Sequence, residues 1–233
     1  AHRILNKSAP HITLMSATIG DPAVLCRELG LDPDHMSSIS LPHSFDPSHR
    51  PVMMVARSPQ IRSRSTDADY SLQADLISNI LTSNSEHRGV IHVTSWKHAK
   101  LLMRLLTSRG HGSRLFLTEG PRLKTIETFK NSPPSTVAIS PSWHEGLNLP
   151  DDEARFCIVA KVPFLSLADP ITKMRLTSTG GRQWYDWKAA LGVVQCAGRI
   201  VRHKDDWGRT YILDANWPRV SKYAPPWFKW SVI

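Results

Sequence analysis

What most constrains the fold of these 233 residues is alternation: apolar runs of strand length recur between segments of helical period. Such a pattern builds a parallel sheet with helices on its faces, because each parallel pair of strands needs a crossover and the crossover helix needs somewhere to bury its apolar stripe. Strands are predicted at 12–16, 52–56, 90–94, 115–117, 137–140, 156–160 and 210–213, and helices at 21–29, 72–81, 96–108, 123–129 and 184–201. In the clearest helix Ala99, Leu102, Met103 and Leu106 fall at i, i+3, i+4 and i+7, so one face is core, and Gly110 follows as a stop. With 41% apolar residues the chain has enough core for one large α/β domain or one and a half small ones. Two stretches read as loops or linkers: 32–50, rich in Pro, Ser and His, and 57–69, which carries Arg57, Arg62 and Arg64 but few apolar residues. A solvated charged surface and a nucleic-acid contact both account for Arg62 and Arg64.

Lys and Arg number 29 against 20 Asp and Glu, a formal net charge of +9 that fits an anionic partner such as nucleic acid. Cys26, Cys157 and Cys196 are far apart, odd in number and without a C-x-x-C pair, which argues against a disulfide framework and a zinc site. No metal site is expected in this chain. A reducing, intracellular compartment fits best: cytoplasmic in a prokaryote or virus, nuclear in a eukaryote. No apolar run reaches the ~18 residues of a membrane span, so no membrane partner is expected. The chain opens on Ala1 and runs almost at once into an apolar, strand-like segment, so it is expected to continue a longer protein.

The segment 195–202, Gln-Cys-Ala-Gly-Arg-Ile-Val-Arg, places Arg199 and Arg202 three residues apart, on one side if the segment is helical. Their planar, permanently charged guanidiniums suit phosphate oxygens, and Gly198 beside them allows a close approach of backbone or ligand. By spacing alone, a surface ion-pair network explains the pair equally well. The wider string is more specific: Trp187, then Gln195-x-x-Gly198-Arg199-x-x-Arg202, then Asp205-Asp206-Trp207-Gly208, then a strand closed by Asp214. It resembles motif VI of superfamily 2 DNA helicases of the XPD/DinG group. That resemblance implies that Arg202 is the arginine finger, that Arg199 is a second phosphate or interdomain contact, and that Gln195 belongs to the same catalytic set.

Three further matches occur in order. Ser16-Ala17-Thr18 is similar to motif III, which links nucleotide state to interdomain movement in these motors. The strand ending at Thr94 and running into Ser95, Trp96 and Lys97 resembles motif IV, where a hydroxyl and helix-opening amides meet a nucleic-acid phosphate; Ser95 is equally a helix N-cap, and the roles are compatible. The stretch 140–150 resembles motif V, which implies nucleotide contacts for Glu145, Gly146 and Asn148, together with Gly198. Motif V in this group reads E-G-x-D; Asn148 stands in the acidic position, and its amide can hydrogen-bond a sugar hydroxyl without bringing negative charge. Glu145 orders the loop or pairs with a motif VI arginine. Ser142 and Trp143 fall where these helicases place residues near the nucleic-acid strand; Trp143 either stacks on a base or belongs to the core. The resemblance runs from residue 13 to about residue 230 and is thin between 32 and 86.

No G-x-x-x-x-G-K-[ST] and no D-E-A-H-like acidic box occur, so the phosphate cradle and magnesium ligands are absent from these 233 residues. The resemblance assigns both to a first motor domain preceding Ala1, which would bind most of the ATP and magnesium and carry any iron–sulfur cluster. The expected fold is RecA-like α/β with a mainly parallel central sheet. Residues 1–20 form the motif III strand and interdomain segment and 21–233 the second motor domain, with the motif loops gathered at one edge where the first domain docks. The expected partners are single-stranded DNA and that first RecA-like domain, and the isolated chain is expected to be inactive. The alternative is a helicase-derived module that binds nucleic acid or protein without turnover.

Overall fold

The computed structural model describes residues 11–42, 44–143 and 147–233. Six strands form one sheet: β1 (Val52–Met54), β2 (Gly89–His92), β3 (Leu115–Leu117), β4 (Val137–Ser140), β5 (Phe156–Val159) and β6 (Arg209–Ile212). Their order is β1-β6-β5-β2-β4-β3, and every pairing is parallel. The chain is thus α/β with an all-parallel central sheet flanked by helices. Central strands β2, β4 and β5 are buried along their entire length, as parallel strands covered on both faces must be.

Strand period two divides the core. Val90, Ala138 and Cys157 join the cluster that includes Trp187, Ala190 and Val194 of α6 (Gly181–Ala197). Their neighbours Ile91, Ile139 and Ile158 point the other way, into the cluster built from Ile77 and Leu81 of α2 (Asp67–Ser83) and Leu102 and Leu106 of α3 (Trp96–Leu106). The remaining helices are α1 (Pro22–Leu29), α4 (Arg122–Lys130), α5 (Pro170–Thr177), α7 (Trp217–Val220) and α8 (Pro226–Lys229). Among the described residues no helix is long and apolar enough to cross a membrane.

Local chemistry explains where the elements differ from the sequence expectation. Helix α2 starts at Asp67, well before 72, because Thr66 and Asp69 form a reciprocal capping box. Helix α5 was not anticipated, although Asp169 caps it and Pro170 sits at its first position. The strand expected at 12–16 is not one: the free edge of β1 is occupied instead by the tail, where Val52 N–H donates to Ser231 O at 2.7 Å and Ile233 N–H to Val52 O at 2.9 Å. Met15 is 90% exposed. That segment is moored farther along, where Trp187 Nε1 donates to Ile19 O at 2.9 Å and Gly20 takes φ +70° against Tyr223 O, a place only a glycine fits without strain.

Candidate functional site

Helix α6 delivers the arginine pair. Its last turn closes at Gly198, whose N–H donates to Val194 O at 3.0 Å, and Arg199 N–H donates to Cys196 O at 3.3 Å. The helix predicted through 201 therefore stops at Ala197, and Arg199 and Arg202 stand on the turn after it, not on one helical face. Gly198, a poor helix former, follows directly on that last turn, and the Arg202 N–H beyond it goes to a side chain and not to a helical carbonyl.

The turn is pinned by Asp206, which is fully buried. One carboxylate oxygen accepts from Arg155 Nη1 at 2.9 Å and from Asp151 N–H at 3.2 Å, and the other accepts the backbone N–H of Arg202 at 2.9 Å. Arg155 also bonds Asp152 and Trp207 O and lies 4.7 Å over the Trp207 ring, which Arg209 also approaches. His203 Nε2 sits 3.0 Å from Asp151 Oδ1. Asp151, His203 and Asp206 lie close enough together to hold an ion. The Asp206 carboxylate is, however, already engaged by a guanidinium and two amides, so the trio reads as the brace of the arginine turn. In the sequence Asp206 appears in the acidic-aromatic-Gly turn without a role of its own, and Arg155 is marked only as a charge directly before an apolar central strand.

A cleft of about 270 Å³ opens beside this turn. Gln195, Gly198, Arg199 and Arg202 line one side, and Ala17 and Thr18 join them, so the two segments read as motifs III and VI meet here. Thr18 is oriented by a turn in which its N–H donates to Ser16 Oγ at 3.2 Å. Arg202 is exposed, its Nη1 donating to Gly198 O at 2.9 Å. A third guanidinium, missed in the sequence, is Arg50, which lies 5.1 Å over Trp227 and donates to Trp227 O at 3.2 Å. Burial lowers its pKa from the ordinary arginine value.

Motif V is stitched to the same turn. Leu149 N–H donates to Arg199 O at 3.0 Å, and Arg199 Nη1 donates to Leu147 O at 3.2 Å. Leu147 and Leu149 are buried, leaving Asn148 between them exposed to solvent. Asn148 does not line the cleft. Glu145 and Gly146, with His144, lie outside the described residues.

Ser95, Trp96 and Lys97 occupy the opposite edge of the sheet. The cleft is lined by Gly208, Thr210 and Val52, at the amino ends of β6 and β1, whereas Ser95 follows the carboxyl end of β2. The expectation that all motif loops gather at one edge is corrected: a crossover helix returns the chain to the amino side, so the end of α6 and the start of α3 fall on opposite edges. Ser95 caps α3, its Oγ accepting from His98 N–H at 3.2 Å, and Trp96 and Lys97 are exposed. Beneath them His98 Nε2 meets Gln73 Oε1 at 2.7 Å, while Gln73 Nε2 donates to Ala160 O. Burial, with Lys161 nearby, lowers the His98 pKa to about 4.

Ser142 is exposed, but Trp143 is not available to a base. It is 1% exposed, packs edge-on against Phe129 at 5.4 Å and donates its backbone N–H to Ser140 Oγ. Its expected stacking role is corrected to a core role, because the turn after β4 folds the indole under the sheet. The cysteines are buried too: burial raises Cys157 well above the ordinary thiol value and Cys196 to about 12, so neither is a reactive thiolate.

The helicase C-terminal domain model matches residues 77–230. A regulator of telomere elongation helicase 1 homolog of Drosophila grimshawi is 34% identical over 89 residues, 34% of this chain and 9% of that protein. The homolog of Culex quinquefasciatus is 33% identical over 98 residues, 36% of this chain and 10% of its own length. The matched stretch is therefore about a tenth of those relatives. A solved XPD helicase superposes with a TM-score of 0.68 at 14% identity, covering 98% of this chain and 42% of that one. S. cerevisiae Dbp5 bound to RNA and ADP BeF3 superposes at 0.55 and 13% identity, covering 89% and 47%. At such identities the superpositions speak to the fold, which is that of RecA-like helicase domains.

Proposed function

The chain belongs to the helicase C-terminal domain family, and on that premise we propose that it is the second motor domain of an ATP-dependent DNA helicase, with Arg202 as its arginine finger. The observation that carries this reading is the cleft in which Thr18, Gln195, Gly198, Arg199 and Arg202 come together. Two guanidiniums beside a glycine are the half of a triphosphate site that senses charge, and their chemistry fits phosphate oxygens. The buried carboxylate within reach, Asp206, is fully engaged, and the sequence has no P-loop, so magnesium and the phosphate cradle are assigned to the first motor domain. Bound there, ATP with its metal supplies a phosphoryl group on which negative charge develops during transfer.

The residues of this chain then do three things. Arg202, its backbone fixed by Asp206, presents a guanidinium to that developing charge, a contribution of the order of 10³–10⁵ in rate in motors of this kind. Arg199, tied to Leu147 O, couples the finger turn to motif V and so to the β4 end of the sheet. At the opposite edge, Ser95, the opening amides of α3 and Lys97 meet phosphates of a single DNA strand, with Trp96 exposed beside them. Domain closure and reopening would thus act on two edges of one rigid sheet. An intracellular protein, nuclear in a eukaryote, is the corresponding setting.

Asn148, exposed where the group carries an acid, favours the second reading, a module that binds without turnover. Single-strand-stimulated ATP hydrolysis separates the two. The 233-residue chain alone is expected to show none above background, and a longer polypeptide that includes a P-loop motor domain is expected to turn over. An inactive but folded longer polypeptide would favour the module.

A further inference from the structure

Most arginines of the described chain spend their guanidiniums inside the fold. Arg114, for example, donates to Leu81 O, Asn84 O, His87 O and Ser135 O, and Arg109 is held by Asp75 and Ser71. The loop between β1 and α2 is different. Arg57, Arg62 and Arg64 are exposed, and none of their guanidiniums meets an acid, a carbonyl or a ring within the described residues.

Despite its sequence, this loop is built, not slack. Pro59 and Ile61 are buried, Ser58 Oγ donates to Val55 O at 2.7 Å, and Arg62 N–H donates to Ser65 Oγ at 2.9 Å. Gln60 is bonded to Asn216, past the end of β6. Arg57 is held at φ 60°, one of two non-glycine residues at positive φ among those described. A bulky residue in that region costs on the order of 1 kcal/mol or more, and no contact of its own side chain offsets the cost. Next along the chain, Asp67 is exposed at the start of α2 and the carboxylate of Asp69 is occupied by capping Thr66.

Topology sets the loop in a row of cations. Along the carboxyl ends of the strands, in spatial order, stand Arg57 after β1, the buried Asp214 after β6 with Lys161 after β5 near it, Lys97 after β2 and, on α4 after β3, Lys124. With strands ~4.8 Å apart, this row runs about 24 Å from β1 to β3. It lies on the edge opposite the arginine cleft.

We propose that the loop carrying Arg57, Arg62 and Arg64 is a second phosphate-binding surface for single-stranded DNA, extending the strand track from Ser95 and Lys97 to the β1 edge of the sheet. The proposal rests on the reading of this edge as the strand-binding one. An ordered loop lowers the entropic cost of binding, and guanidiniums with no internal partner lose none on engaging phosphate. Phosphate contacts of this kind carry no sequence preference and a steep salt dependence.

The test is a salt series of oligo-dT binding to the 233-residue chain, read by fluorescence anisotropy. It compares the parent, R57A/R62A/R64A, R57K/R62K/R64K and S95A/K97A. Three lost phosphate contacts should lower the slope of log K against log salt by about 2, a difference of roughly 15–20-fold between about 50 and 200 mM salt. The lysine triple should keep most of the parent slope, and the melting temperature of both triples should stay close to the parent, since the replaced side chains hold nothing. An alanine triple with the parent slope and affinity overturns the loop while leaving the strand-binding edge intact if S95A/K97A weakens binding. A folded parent that does not bind oligo-dT overturns both.

Discussion

Replacing Asp206 with Ala removes the group on which the arginine turn is hung. The carboxylate is fully buried and accepts from Arg155 Nη1, Asp151 N–H and Arg202 N–H. Breaking a buried ion pair by deleting one partner costs about 3–5 kcal/mol, because the other charge is left without its counterion. Here the lower end applies, since Arg155 keeps Asp152, Trp207 O and the Trp207 ring. For a chain of this length 1 kcal/mol shifts the melting temperature by about 2–4 °C, so a fall of about 6–12 °C is expected in a thermal melt. The double replacement with Arg155→Met should be less destabilised than the sum of the singles, because no uncompensated charge remains. Freed of its backbone tie, Arg202 should also lose its position at the cleft, and stimulated ATP hydrolysis in the longer polypeptide should drop well below the loss from unfolding alone. A melting shift under about 2 °C, or singles that simply add, would refute the brace.

Two further outcomes follow from burial. Trp143→Ala should destabilise by about 3–5 kcal/mol, as for other large core aromatics, whereas Trp143→Phe, measured at a temperature where it is folded, should leave oligo-dT affinity unchanged; a loss of affinity without loss of stability would restore the stacking role. His98, with its folded pKa lowered to about 4 from 6.5, resists protonation in the folded state. Its stabilising contribution is therefore complete above the unfolded value and is lost as pH falls from about 6.5 towards 4, a loss approaching about 3 kcal/mol at the lower end. Denaturant melts across that range should show the parent losing stability relative to His98→Gln on acidification, and parallel pH profiles would count against it.

The sheet was legible because its central strands are buried on both sides, so 90–94, 137–140 and 156–160 read as continuous apolar runs between turn residues. The run at 12–16 carries the same signal and is no strand: apolarity marks a surface that wants covering, not the partner that covers it, and the edge it could have joined is held by Ser231–Ile233. Arg199 and Arg202 were legible as a pair, but their placement on a turn depends on Gly198, where the helix closes, and on Asp206, whose hold on the Arg202 N–H only the tertiary structure shows. The division of the motifs between two sheet edges follows from parallel crossovers and could have been drawn from the strand pattern alone. Arg50 gives no local signal, and the charge of Arg155 directly before β5 marks the residue without its role, since what makes the two part of the site are Trp227 and Asp206, far along the chain.

The most direct measurement is single-strand-stimulated ATP hydrolysis by a polypeptide that joins this chain to a P-loop motor domain, with Arg202 intact and with Arg202→Ala. Arg202 is exposed and, among the described residues, its guanidinium holds only Gly198 O, so the variant should melt close to the parent and bind oligo-dT alike. The expected result is a fall in kcat of at least ~10²-fold with the fold preserved, as for loss of a finger. A folded variant that turns over within a few-fold of the parent would contradict the assignment of Arg202 and the half-site built around it.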